Sequence, residues 1–114
     1  MVTLYGITSC DTVKKARRWL EERGITYRFH DLRKDGLDAT LLGAWERALG
    51  WEALLNRRGA TWRKLSEAQR CGLDRDRAVA LMLAHPTLVK RPVLDLGGSI
   101  RVGFRQDEYE QVFR

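Results

Sequence analysis

Cys10 is the residue best placed for covalent chemistry, because it stands between a strand-like run, Val2 to Ile7, and a helix-like run. The N–H groups that open a helix lack partners inside it, and together with the aligned peptide dipoles they favour an anion. A cysteine there is biased toward the thiolate, the form that attacks. The alternative is a small apolar side chain tucked under the first turn. The motif reads Cys10-Asp11-Thr12-Val13, with Val13 where a dithiol site would carry its second cysteine. An adduct at Cys10 must therefore be resolved by another thiol, for which glutathione is the obvious soluble candidate. The other cysteine, Cys71, has no pattern that brings it to Cys10 and reads as a semi-buried bystander. Lys14 and Arg17, one and two turns on, are expected to add positive potential.

Arg91-Pro92 is the second feature. The planar fork of an arginine suits oxyanions, although a lone Arg91 is as well read as a surface charge. Residue statistics alone favour a trans bond before Pro92. Arg57, Arg58, Arg63, Arg101 and Arg105 are further cations that matter only if they cluster near a thiolate. His30 reads as a strand-face residue and His85 as a helix end. The spacing of His, Cys, Asp and Glu suggests no metal site, and no phosphate loop or serine elbow is present.

The elements that must position these residues follow from periodicity. Val2–Ile7 alternates as a strand, and Thr8 or Ser9 is expected to cap a helix running to about Arg23 with Val13, Ala16, Trp19 and Leu20 inward. Gly24 is the expected stop. Ile25–Leu32 reads as a second strand with Ile25, Tyr27 and Phe29 on one face, parallel to the first because a helix lies between them. From about 38 to 86 the pattern is almost wholly helical: Asp38, Ser66 and Asp74 open helices, Gly50 stops one, Asn56–Gly59 breaks the run, and Ala60–Leu65 reads as irregular. Pro92–Asp95 and Ile100–Gly103 read as a hairpin around Gly97-Gly98, and Gln106–Phe113 as a closing helix. The order is βαβ, a helical insertion, then ββα. The expected fold class is α/β and thioredoxin-like, a mixed sheet flanked by helices, in one domain over 1–114.

Composition bounds the rest. The chain has 114 residues, 44% hydrophobic and 32% charged, which suits a packed domain rather than disorder. The net charge of +6 favours anionic partners, but acidic and basic residues interleave without a basic tail, so nucleic acid is not the expected partner. No apolar run approaches the ~20 residues of a membrane span, and the start MVTLYGIT lacks a signal pattern. A cytoplasmic monomer with free thiols is expected.

Three segments carry a resemblance: TLYGITSCDTVKKARRWLEERGITYRFHDLRKDGL, ALLNRRGATWRKL and LMLAHPTLVKRPVL. The chain resembles the arsenate reductase (ArsC)/Spx family of thioredoxin-like proteins, and within it the YffB-like branch, for which glutathione-dependent thiol reduction has been proposed. The resemblance implies that Cys10 is the reactive thiol, with Thr12 in its motif, and that Arg91 borders the site before a cis Pro92. It implies further oxyanion or glutathione contacts at Arg105 and in the segment after ALL. Asn56 stands at the aligned position of that segment, so Arg57 or Arg58 must substitute, and Arg58 is the candidate. Glutathione is then the co-substrate, with no tightly bound cofactor, and a glutaredoxin is a further partner. Two departures weigh against arsenate itself: the loop Gly6-Ile7-Thr8-Ser9 differs from the His and Asn-Pro of the arsenate reductases, and the middle arginine is displaced. Spx regulators typically carry a cysteine pair and bind RNA polymerase. Val13 removes the pair, leaving a non-enzymatic polymerase-binding role as the alternative.

Overall fold

The alternating run that opens the chain forms β1 (Val2–Gly6), and the amphipathic run after Cys10 forms α1 (Asp11–Glu22). These belong to a computed structural model that describes residues 1–114. β2 (Tyr27–Asp31) pairs parallel with β1, Leu4 opposite Phe29 and Gly6 opposite Asp31. β2 begins later than the alternation suggests. The Gly24 N–H bonds Glu21 O and the Ile25 N–H bonds Leu20 O, so those residues close the helix before the strand starts. Gly24 sits at φ +66°, which accounts for a glycine at that stop.

The chain falls into two compact units, Met1–Asp35 with Arg91–Arg114, and Gly36–Lys90. In the first, β3 (Val93–Asp95) pairs antiparallel with β1, and β4 (Ile100–Val102) antiparallel with β3, giving the sheet order β2-β1-β3-β4. The closing helix of this unit is Gln106–Val112. This is the mixed sheet of the thioredoxin-like class, with the βαβ and ββα halves expected. Leu4, Ala16, Trp19, Leu20, Leu94 and Tyr109 form its buried core, with Phe29, Phe104 and Phe113 packed against them. Trp19 meets Tyr109 edge-on at 5.5 Å between ring centroids, and Arg23 pairs with Glu110 at 3.1 Å.

The second unit contains α2 (Ala39–Leu49), α3 (Trp51–Leu54), α4 (Ala60–Lys64), α5 (Glu67–Arg70), α6 (Arg75–Ala84) and a 3-10 turn at Pro86–Leu88; the helix Gln106–Val112 is then α7. The caps lie where the sequence puts them. Asp38 accepts the Leu41 N–H at 2.8 Å, Asp74 accepts the Arg77 N–H at 2.9 Å, and Ser66 with Gln69 forms a reciprocal capping box. Ala60–Lys64 corrects the expected irregular stretch. Thr61 Oγ1 meets Thr87 Oγ1 at 2.6 Å and Arg63 donates to Arg58 O at 2.8 Å, ties that local propensity does not show. Cys71 is exposed at the C-cap of α5, not semi-buried. No helix is long and apolar enough to cross a membrane.

Tyr109 is fully buried and its hydroxyl has no hydrogen-bond partner. Burial holds the phenol proton on, well above the ordinary range. An unpaired buried hydroxyl costs about 1–3 kcal/mol. Tyr109→Phe removes the cost while keeping the ring contacts, so it is expected to raise stability by about 1 kcal/mol in a reversible thermal or urea melt. A lower midpoint would mean the hydroxyl is paired after all.

Candidate functional site

β2 is parallel to β1, and β3 runs antiparallel to both. The C-terminal ends of β1 and β2 and the N-terminal end of β3 therefore share one end of the sheet. The loop Ile7–Cys10, the turn after Asp31 and the Arg91-Pro92 bond all lie there. β4 is parallel to β1, so the chain also leaves toward Arg105 from this end, at the far edge of the sheet.

Cys10 is itself the N-cap of α1, with φ −80° and ψ 125°. This corrects the expectation that Thr8 or Ser9 caps. The Cys10 N–H closes a tight turn onto Ile7 O at 3.1 Å, and its carbonyl accepts the Lys14 N–H at 3.0 Å, the first bond of the helix. A serine or threonine cap would spend a first-turn donor on a neutral side chain. The Cys10 side chain makes no such capping bond. The Val13 and Thr12 N–H groups nonetheless face its sulfur and favour the anion. β1 lies close beneath: a Cβ on Gly6 would sit 2.6 Å from Val13 Cγ2, so only glycine lets the strand pass under this turn.

Arg91 supplies the cation. Its side chain hydrogen-bonds the Cys10 sulfur and adds a favourable charge. The Arg91-Pro92 bond is cis, as the resemblance implies and against the residue statistics. Pro92 O accepts the Gly103 N–H at 2.8 Å, which anchors this segment to the end of β4. Burial of the half-exposed Cys10 pushes its thiol up. The Val13 N–H, Arg91 and the Thr12 N–H outweigh burial, and the net result lies below the ordinary value of 9.0.

The expected residues divide accordingly. Cys10, Thr12, Arg91 and Pro92 come together. Arg105 emerges at the same end of the sheet but is exposed and paired with Asp107 at 3.2 Å. Arg58 lies in the helical unit, where its N–H donates to Asn56 Oδ1 at 3.0 Å. There it lines a cavity of about 440 Å³ with Glu52, Asn56, Arg57 and Lys90. Arg17 is held against β2 by neutral partners, which leave its positive charge in place. Its Nε donates to Tyr27 Oη at 3.1 Å and its guanidinium lies 4.1 Å from the Phe29 ring centroid. Lys14 is 4.0 Å from Asp11. His30 meets Tyr5 across the strands in a tilted contact, 4.9 Å between ring centroids, and His85 is the C-cap of α6.

Asp31 went unremarked in the sequence. It is 4% exposed, yet it continues the face of Ile25, Tyr27 and Phe29. A carboxylate in register with an apolar face was the available signal.

Comparison with known proteins places this geometry in a lineage. The chain is similar to the solved structure of a YFFB (PA3664) protein, at TM-score 0.96 and 49% identity over all of both chains. It is similar to an arsenate reductase (ArsC) related protein from Brucella melitensis, at TM-score 0.80 and 53% identity, covering 99% of this chain and 94% of that one. The global transcriptional regulator Spx of Listeria innocua is 30% identical over 110 residues, which is 95% of this chain and 83% of that protein. The ArsC family model matches residues 5–112, from within β1 to the end of α7, and the chain belongs to the ArsC family.

Proposed function

We propose that the protein is a thiol-dependent reductase in which Cys10 is the nucleophile. The Cys10 thiolate attacks one sulfur of a disulfide, most simply a glutathionylated partner. A Cys10–glutathione disulfide forms and the partner leaves as a thiolate. A second glutathione thiolate attacks the glutathione sulfur of that adduct, releasing oxidised glutathione and restoring Cys10. An oxyanion such as arsenate is a further substrate of the same nucleophile. Thr12 and Val13 N–H groups hold the attacking sulfur as its anion, and the Arg91 fork orients a carboxylate or oxyanion beside it. Arg105 is a further anion contact in this reading. No tightly bound cofactor is needed; glutathione, or a glutaredoxin, supplies the electrons.

The observation that carries the reading is Cys10 at the N-cap of α1, at the end of the sheet to which the β1–β3 pairing also brings Arg91, a setting that favours the thiolate despite burial. The test is intact mass and peptide mapping after mixing with oxidised glutathione in a Cys71→Ser background, since Cys71 is an exposed competing thiol. One glutathionyl group on Cys10, removed by excess glutathione, is expected. A protein that stays unmodified would end the reading.

The similarity to Spx favours one alternative, a regulator that docks on RNA polymerase without thiol turnover. Val13 at the second-cysteine position argues against a redox switch but not against docking. Binding to purified polymerase, unchanged by Cys10→Ser and with no glutathione adduct, would select it.

A further inference from the structure

The outer side of α1 carries a run of cations, Lys14, Lys15, Arg17 and Arg18. Lys14 and Arg17 follow Cys10 at spacings of four and seven, so they lie on its side of the helix, one and two turns along. With Arg18 and Glu21 they line an open groove of about 290 Å³, three cations to one carboxylate.

That carboxylate is already engaged. Glu21 Oε2 accepts the Tyr27 hydroxyl at 2.6 Å, and the Tyr27 oxygen in turn accepts the Arg17 Nε–H at 3.1 Å. Burial, and then the Glu21 bond, push the Tyr27 phenol up, so it stays a donor. The Arg17 guanidinium also lies 4.1 Å from the Phe29 ring centroid. A hydroxyl at Nε and a ring against its face hold the guanidinium in place, and neither uses its terminal Nη groups. A fork held in this way loses little freedom when an anion binds it. Arg18 joins no ion pair, and Lys14 has only Asp11 at 4.0 Å, with both side chains exposed.

The arrangement sets a length. Seven residues of helix rise about 10 Å, the span of about three residues of extended chain. The groove runs along the helix and does not close around a compact ion. Cations strung over two turns suit a chain that bears several carboxylates. We propose that the basic groove of α1 docks an acidic polypeptide, so that the preferred substrate is a mixed disulfide whose cysteine has acidic residues about two to four positions away. The inference rests on the reading of Cys10 as the nucleophile.

The experiment compares two synthetic peptides, each with one cysteine as its glutathione mixed disulfide. One carries glutamates two to four positions from the cysteine on both sides, the other glutamines. Release of the peptide thiol is followed with glutathione as reductant, in a Cys71→Ser background, and each rate is divided by the uncatalysed rate for that peptide. The ratio of the two kcat/KM values cancels any change in the Cys10 thiolate, since both peptides meet the same nucleophile. The parent is expected to prefer the acidic peptide about fivefold or more at low salt, and less than about twofold in about 0.5 M salt. Arg17→Gln, and separately Lys14→Gln with Arg18→Gln, are expected to cut the low-salt preference by about half or more, with circular dichroism to confirm folding. The double change alters only exposed side chains, and it decides the matter if Arg17→Gln fails to fold.

Equal rates for the two peptides in the parent, or a preference untouched by the double change, overturns the proposal. If neither peptide turns over, the reading of Cys10 fails instead, and docking is read by itself. In isotope-labelled Cys10→Ser protein, the acidic peptide as its free thiol is expected to shift the amide resonances of α1, and the glutamine peptide is not. Resonances of α1 that stay in place overturn the docking proposal as well.

Discussion

Cys10→Ser is expected to abolish thiol turnover and the glutathione adduct, a loss of several orders of magnitude, because a serine hydroxyl has no anion available near neutral pH. In the parent protein, alkylation of Cys10 should rise with pH to a midpoint below 9.0. The same shift links ionisation to folding. A thiol more acidic folded than unfolded stabilises the fold above its unfolded pKa, and that gain is lost as pH falls through the folded value. The parent should therefore gain stability over Cys10→Ser as the pH approaches 9, and the difference should vanish in mild acid. Parallel chemical denaturation at the two pH values reads this directly. Equal turnover in parent and variant would move the chemistry to another residue or to none.

Arg91→Ala should give the second large effect. Arg91 both hydrogen-bonds the sulfur and faces it with a positive charge. Hydrogen bonds to charged groups contribute about 1.5–3 kcal/mol when well shielded, and less beside solvent. With the sulfur half-exposed, a rise of about one pH unit in the Cys10 midpoint is expected, close to tenfold less thiolate near neutrality. Arg91→Lys keeps the charge without the planar fork and should fall between the two. Turnover should suffer more than alkylation, since a carboxylate or oxyanion substrate also loses its bidentate partner while iodoacetamide needs none. An Arg91→Ala protein with the parent's midpoint would assign the low pKa to the helix N–H groups alone.

Several of these residues were legible in the chain before any coordinates. A strand, a cysteine and an amphipathic helix in that order are local patterns, and local patterns place Cys10 at a helix N-terminus whatever surrounds it. The caps at Asp38, Ser66 and Asp74 are legible for the same reason, since each bond reaches three residues along the chain. The capping residue of α1 was misread because Thr8 and Ser9 are good caps by type. The turn closed by Cys10 N–H on Ile7 O puts the cysteine itself at the junction. The partners of Arg17 were not legible, because Tyr27 and Phe29 come from the next strand.

By itself the sequence determined the order of elements, the place of Cys10 ahead of α1 and the absence of a partner thiol at Val13, because periodicity, caps and spacing act over a few residues. The tertiary structure decided which cation meets the sulfur. Arg91 lies eighty-one positions from Cys10, and what unites them is the antiparallel pairing of β1 with β3, which brings the end of one strand to the start of the other. It also decided that Asp31 is buried, where the Arg33 and Lys34 N–H groups of the turn after β2 receive its carboxylate and favour the charged form.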